Sequence, residues 1–196
     1  MKKIFALLLL LLPGLAFAHH FMGDAVPQTF MQGLLSGLGH PLIGVDHAAF
    51  IIAAGFFLAL VKGGIWGVTA LIAGSLAGAS LHLSGFGLPG AEAGVALSLA
   101  LAGALLVFHK PIRLSWLVAG FGIAGVLHGH AYAESIFGAE PAPLAAYLIG
   151  FSVIQFALAA AALLAHRRVM GARMLSAALG AAVGAIGVTF LIINIA

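Results

Sequence analysis

Apolar residues run along this chain in blocks of membrane length. Six stretches, at roughly 42–61, 66–83, 91–108, 112–132, 143–165 and 174–194, each approach the ~20 apolar residues that cross a bilayer core. Gly, Pro or charge interrupts them, at Lys62-Gly63-Gly64, Ser84 to Gly90, His109-Lys110-Pro111, Glu134 to Ala142 and His166 to Arg173. The pattern predicts an all-α integral membrane protein with six transmembrane helices. Ahead of the first span, Pro27 to Leu38 reads as a short amphipathic helix. Gln28, Gln32 and Ser36 recur every four residues among Phe30, Met31, Leu34, Leu35 and Leu38. This helix is expected along the outer interface, packed on the bundle. Gly39 and Pro41 then mark a break, Gly suiting a helix end and Pro the first turn of the next helix.

The first block is different. Lys2 and Lys3 precede a short apolar region, Pro13 and Gly14 end it, and Ala16-Phe17-Ala18 offers small residues for cleavage. Residues 1–18 therefore read as a cleaved signal peptide, leaving 19–196 as one six-helix transmembrane domain with His19 at its new N-terminus.

Composition agrees with a membrane protein. Hydrophobic residues make up 63% of the chain and charged residues 7%, far less charge than a soluble surface carries. There is no Cys, which excludes disulfides and thiolate metal sites. Without Lys2 and Lys3, six basic residues face five acids, a balance of +1, so the high pI does not point to nucleic acid. The basic residues are topological signals instead. With the mature N-terminus outside, Lys62, Lys110, Arg113, Arg167, Arg168 and Arg173 all fall on the cytoplasmic side, as the positive-inside rule requires. Both mature termini are then periplasmic, in a bacterial inner membrane. Trp66 and Trp116 near inner helix ends, and Tyr132 and Tyr147 near outer ends, read as an aromatic belt. Gly74-x-x-x-Gly78, Gly180-x-x-x-Gly184 and the Gly120, Gly122, Gly125 cluster read as close-packing surfaces.

This topology sorts the ionisable groups. His40, Asp46 and His47 head the first span, His82 ends the second, Glu92 opens the third, and His128 and His130, followed by Glu134, end the fourth. All five acids fall on the outer half, as do all histidines of the mature chain except His109 and His166. Those two lie beside cationic loops and read as interfacial. Ionisable groups inside a membrane segment are costly and mark function. Imidazole with carboxylate suits nickel, cobalt, zinc or copper(II). His40 and His47, seven apart, share nearly one helical face, whereas His128 and His130 point almost oppositely on a regular helix. Both could hold one ion only if Gly129 loosened the turn. His19, with its α-amine and ring, is a further candidate ligand at the mouth. Gln155, mid-span with Ser152, reads as a helix–helix hydrogen bond.

The motif His40-Pro41-x-x-Gly44-x-Asp46-His47, preceded by a signal and followed by six spans, resembles the HupE/UreJ family of nickel/cobalt permeases. The His128-Gly129-His130 segment and the histidine at the mature start are similar to it too. Five residues separate His40 from Asp46, one more than in the related His-x4-Asp-His motif of the broader nickel–cobalt transporters. The resemblance implies a secondary transporter, not an enzyme. It would move Ni²⁺, or a similar ion such as Co²⁺ or Zn²⁺, from periplasm to cytoplasm through the outer His/carboxylate site. Its indirect partners would be the hydrogenase or urease maturation proteins. No prosthetic group or nucleic acid is expected, membrane lipid is, and a homo-oligomer is compatible. The alternative is an integral-membrane zinc-dependent hydrolase built on the same His/Asp cluster.

Overall fold

The structure is a computed structural model that describes residues 25–169 and 172–195. The segment expected to be a signal peptide, residues 1–18, and His19 lie outside the described residues. The described chain is helical throughout: α1 (Phe30–Ile43), α2 (Val45–Leu58), α3 (Ile65–Leu83), α4 (Ala91–Phe108), α5 (Leu114–Ala133), a 3-10 turn (Glu134–Ile136), α6 (Pro141–Arg168) and α7 (Ala172–Ile195). Five of these elements, α3, α4, α5 with its 3-10 turn, α6 and α7, are long and apolar enough to cross a membrane. The bent pair α1–α2 makes a sixth if counted as one span.

The expected first span, 42–61, is corrected by this pair. The helix does not break at Gly39–Pro41. It continues through Pro41 to Ile43 and turns by 75° at Gly44. Small residues explain why α1 holds together. Gly33 sits against the Pro143 carbonyl, Gly37 against Tyr147, and Gly150 against Leu34 and Leu38, so α1 lies backbone to backbone along the first half of α6. Gly55 of α2 meets Ala159 and Ala162 further along α6. The broken pair thus follows α6 in the same direction, α1 beside its first half and α2 beside its second. A capping box starts α1: the Thr29 hydroxyl accepts from the Gln32 N–H, and the Gln32 side chain accepts from the Thr29 N–H.

The expected amphipathic orientation of α1 holds only in part: Gln28 is exposed and Leu34 and Leu38 are half-buried, but the rest of the pattern is reversed. Gly33, Ser36, Gly37 and His40 are buried, while Phe30, Met31, Leu35 and Leu42 are exposed. In lipid, large apolar side chains lose nothing by facing outward, and small or polar ones gain by facing protein.

The other close pairs are α3 with α5 and α4 with α7. Gly74, Gly78, Gly125 and Gly129 bring α3 and α5 together so tightly that a Cβ on any of them would strike the backbone opposite. Gly103 and Gly180 do the same for α4 and α7. Gly120 departs from the packing expected of it, having no neighbour within 4 Å of where its Cβ would stand. Gln155 makes the expected interhelical bond, accepting from the Ser75 hydroxyl of α3 at 3.2 Å. Lys62 and Lys110 line one recess, and Gly63, Gly64 and Arg167 another, so the basic loops collect at one end of the bundle. His82, His130 and Glu134 lie at the other.

Candidate metal centre

The bend at Gly44 places His40 in the last turn of α1, and Asp46 and His47 in the first turn of α2. Backbone torsion does not demand glycine here, since φ is −68°. Space does: a Cβ would lie 2.6 Å from Cδ2 of His47 and 3.3 Å from a carboxylate oxygen of Asp46. A broken helix inside a membrane bundle is tolerated where its freed backbone is enclosed by protein. The carbonyl end of a half-helix also favours a cation.

His40, Asp46, His47 and His128 are all buried, none more than 3% exposed. Nδ1 of His47 lies 2.9 Å from Nδ1 of His128. Two nitrogens bound to one ion at ~2.0–2.1 Å, at angles between square and tetrahedral, stand about 2.8–3.4 Å apart. The 2.9 Å pair, a hydrogen bond between the two rings, already lies within that ligating range. The His40 ring is 5.8 Å from that of His47, and Tyr132 packs against both, at 5.0 and 4.4 Å. The Tyr132 hydroxyl is buried without a hydrogen-bond partner, as expected of a group facing a bound ion or its water.

Hydroxyls hold the rings. Tyr147 donates to the Tyr132 carbonyl at 2.6 Å, and Ser135 donates to the same carbonyl at 3.0 Å. That carbonyl lies in the last turn of α5, where intrahelical donors run out. With both protons committed, the Tyr147 and Ser135 oxygens accept from Nδ1–H of His40, at 2.9 and 3.0 Å. The lone pair of His40 is then on Nε2. Phe50 stacks on His128 with ring centroids 4.2 Å apart and an angle of 23°.

His130 belongs to a second cluster. Because α5 stays regular through Gly129, His128 and His130 point to opposite faces, and the single outward-facing cluster expected from the sequence is two. Nε2 of His130 is 3.3 Å from Nδ1 of His82, 3.1 Å from the Leu88 N–H and 3.2 Å from the Phe86 carbonyl. His82, His130 and Glu134 offer ligand atoms all within 4.8 Å of one another. His130 is buried, His82 half-buried and Glu134 exposed, so this cluster opens to the helix ends.

On the basic side of the buried cluster lies an apolar cavity of about 290 Å³ between α4 and α5, lined by Phe50, Ser98, Leu105, Leu117, Gly120 and Phe121 among others. Phe50 and Ser98 both touch His128 and both line this cavity.

The aromatic belt needs one correction. Trp66 and Trp116 are exposed as expected, but Tyr132 and Tyr147 are fully buried beside the histidines. Sequence reasoning also missed Ser98, Ser135 and Phe50. Tyr132 stands four residues after His128, hence on its face of α5, which was the available signal. Ser98, Ser135 and Phe50 reach the site from other elements, and nothing in their spacing marks them.

The HupE / UreJ protein family model matches residues 7–190. The chain belongs to the HupE/UreJ family. This family member is also 32% identical, over 125 residues, to Protein HupE of Rhizobium leguminosarum bv. viciae. That match covers 63% of this chain and 62% of the length of the relative. No solved structure matches it.

Proposed function

We propose that this HupE/UreJ family member is a secondary transporter of Ni²⁺ or a similar divalent transition metal, working from periplasm to cytoplasm. The observation that carries the reading is the buried pair of imidazole Nδ1 atoms 2.9 Å apart, beside Asp46 at a break between membrane helices. Imidazole and carboxylate are donors for such an ion, and His40, Asp46, His47 and His128 form the translocation site. His82, His130 and Glu134, open at the outer helix ends, collect metal there; His19, outside the described residues, is a further candidate ligand. Phe50 closes the buried site against the apolar cavity, an apolar constriction of the kind that gates by excluding water. An inward-negative potential favours a dication by about 4–5 kcal/mol per 100 mV, twice the single-charge value. The cargo would then supply hydrogenase or urease maturation.

Uptake of Ni²⁺, Co²⁺ and Zn²⁺ into proteoliposomes tests this, comparing the wild type with Asp46→Asn and His47→Ala. The expected result is uptake by the wild type and none above the empty-liposome background by either variant. Normal uptake by both would remove the buried cluster from the mechanism. A wild type that moves no metal but cleaves a lipid or peptide would make the protein a hydrolase.

A further inference from the structure

We propose that Ser98 is a positioning residue for the buried metal site, its hydroxyl selecting the His128 tautomer that turns the Nδ1 lone pair toward His47. The proposal rests on the transport reading above and adds a residue to it. Ser98 lies near the middle of α4, on a different helix from every ligand named so far. Its Oγ is 2.8 Å from the Val95 carbonyl and 2.9 Å from Nε2 of His128. A serine hydroxyl has a single proton, and a carbonyl can only accept one. With that proton on Val95, Oγ accepts from Nε2–H of His128. A neutral imidazole carries one N–H, so Nδ1 of His128 keeps its lone pair, and it is Nδ1 that stands 2.9 Å from Nδ1 of His47.

Two further contacts make the selection matter. Phe50 stacks on the His128 ring and fixes its plane, but stacking is indifferent to a half-turn of the ring within that plane. The half-turn would carry Nδ1 away from His47 and Nε2 away from Ser98, so the Ser98 bond distinguishes the two orientations. Ser98 is also the one hydroxyl lining the apolar cavity among the described residues. Without it, the Nε2–H of His128 would face carbon, and the proton would move to Nδ1, where His47 offers an acceptor. That tautomer cannot ligate through Nδ1. A hydrogen-bond partner that sets the tautomer of a metal-binding histidine is a recurrent support of metal sites.

The test combines ¹⁵N NMR of histidine-labelled, metal-free protein in liposomes at neutral pH with Ni²⁺ titration of the same samples. His128→Gln assigns the His128 resonances. Wild type is expected to protonate His128 at Nε2, Ser98→Ala to shift protonation toward Nδ1, and Ser98→Thr, which keeps the hydroxyl, to restore Nε2. Ni²⁺ binding should weaken about tenfold or more in Ser98→Ala and stay within about threefold of wild type in Ser98→Thr. Protonation at Nδ1 in the wild type, or an unchanged tautomer in Ser98→Ala, overturns the proposal even if the protein transports Ni²⁺. An Ser98-dependent tautomer in a wild type that moves no metal upholds the positioning role and removes the transport reading instead.

Discussion

His128 and His130 stand two residues apart on α5, yet each belongs to a different kind of site. His128 meets His47 across the bundle, stacks on Phe50 and is held by Ser98. His130 meets His82 at the helix ends, beside an exposed glutamate and the backbone of the 86–88 loop. The first environment is buried and braced by side-chain hydroxyls. The second is open on one side and held partly by main chain. A buried polar group is expensive unless paired, so a lost side chain costs most in the buried cluster, whereas water can take its place in the open one. One regular helix, presenting successive histidines to opposite faces, separates a buried cluster from an open one.

That contrast can be broken most sharply at the inner cluster. Replacing His47 or His128 by Ala should reduce Ni²⁺ uptake by about 100-fold or more, the upper range for disturbing even the supports of a metal ligand. Initial uptake rates in proteoliposomes measure it. Gly44→Ala should come next. Its methyl would meet Cδ2 of His47 at 2.6 Å, displacing that ring without removing any donor atom. A loss of about tenfold or more in Ni²⁺ affinity is expected by calorimetry, with the helical circular-dichroism signal retained. Tyr147→Phe removes one acceptor of Nδ1–H of His40 but leaves Ser135, so affinity should fall about three- to tenfold. At the outer cluster, His82→Ala should raise the KM for uptake by a few-fold and leave the maximal rate near wild type. If His82→Ala abolishes uptake as completely as His47→Ala, the two clusters are one functional site. A different arm tests the scaffold: Gly129→Ala drives a methyl into the Ser75 carbonyl at the α3–α5 crossing. Overpacking of this kind costs about 1–3 kcal/mol, read as a lower unfolding midpoint in detergent.

Much of the architecture was legible in the residues themselves. Membrane-length apolar blocks and the placement of Lys and Arg mark the spans and put the basic loops at one end. Gly74 and Gly78, at a spacing of four, mark a close-packing face on α3, although not the helix it meets. The path of α1 was not legible, because Gln28, Gln32 and Ser36 suggest a polar face for water. The decisive stripe is instead the small one, Gly33, Ser36, Gly37 and His40, which fits the backbone of α6. Local propensity also put the break at Pro41, and tertiary packing moved it to Gly44. For the site, the motif histidines and Asp46 stood out because ionisable residues are rare in apolar segments. Ser98, Ser135 and Tyr147 did not, because a hydroxyl in a membrane helix can satisfy itself on its own backbone. Their role exists only once distant helices are brought together.

The Gly44 bend has a mechanical side. His40 lies on one arm of the hinge, while Asp46 and His47 lie on the other. His40 is four residues from the pivot, a lever of about 6 Å. A change of roughly 10° in the bend therefore shifts its position by about 1 Å relative to the other donors, close to half a metal–nitrogen bond. A small swing of α1 would therefore move His40 relative to Asp46 and His47 without any side chain changing its rotamer.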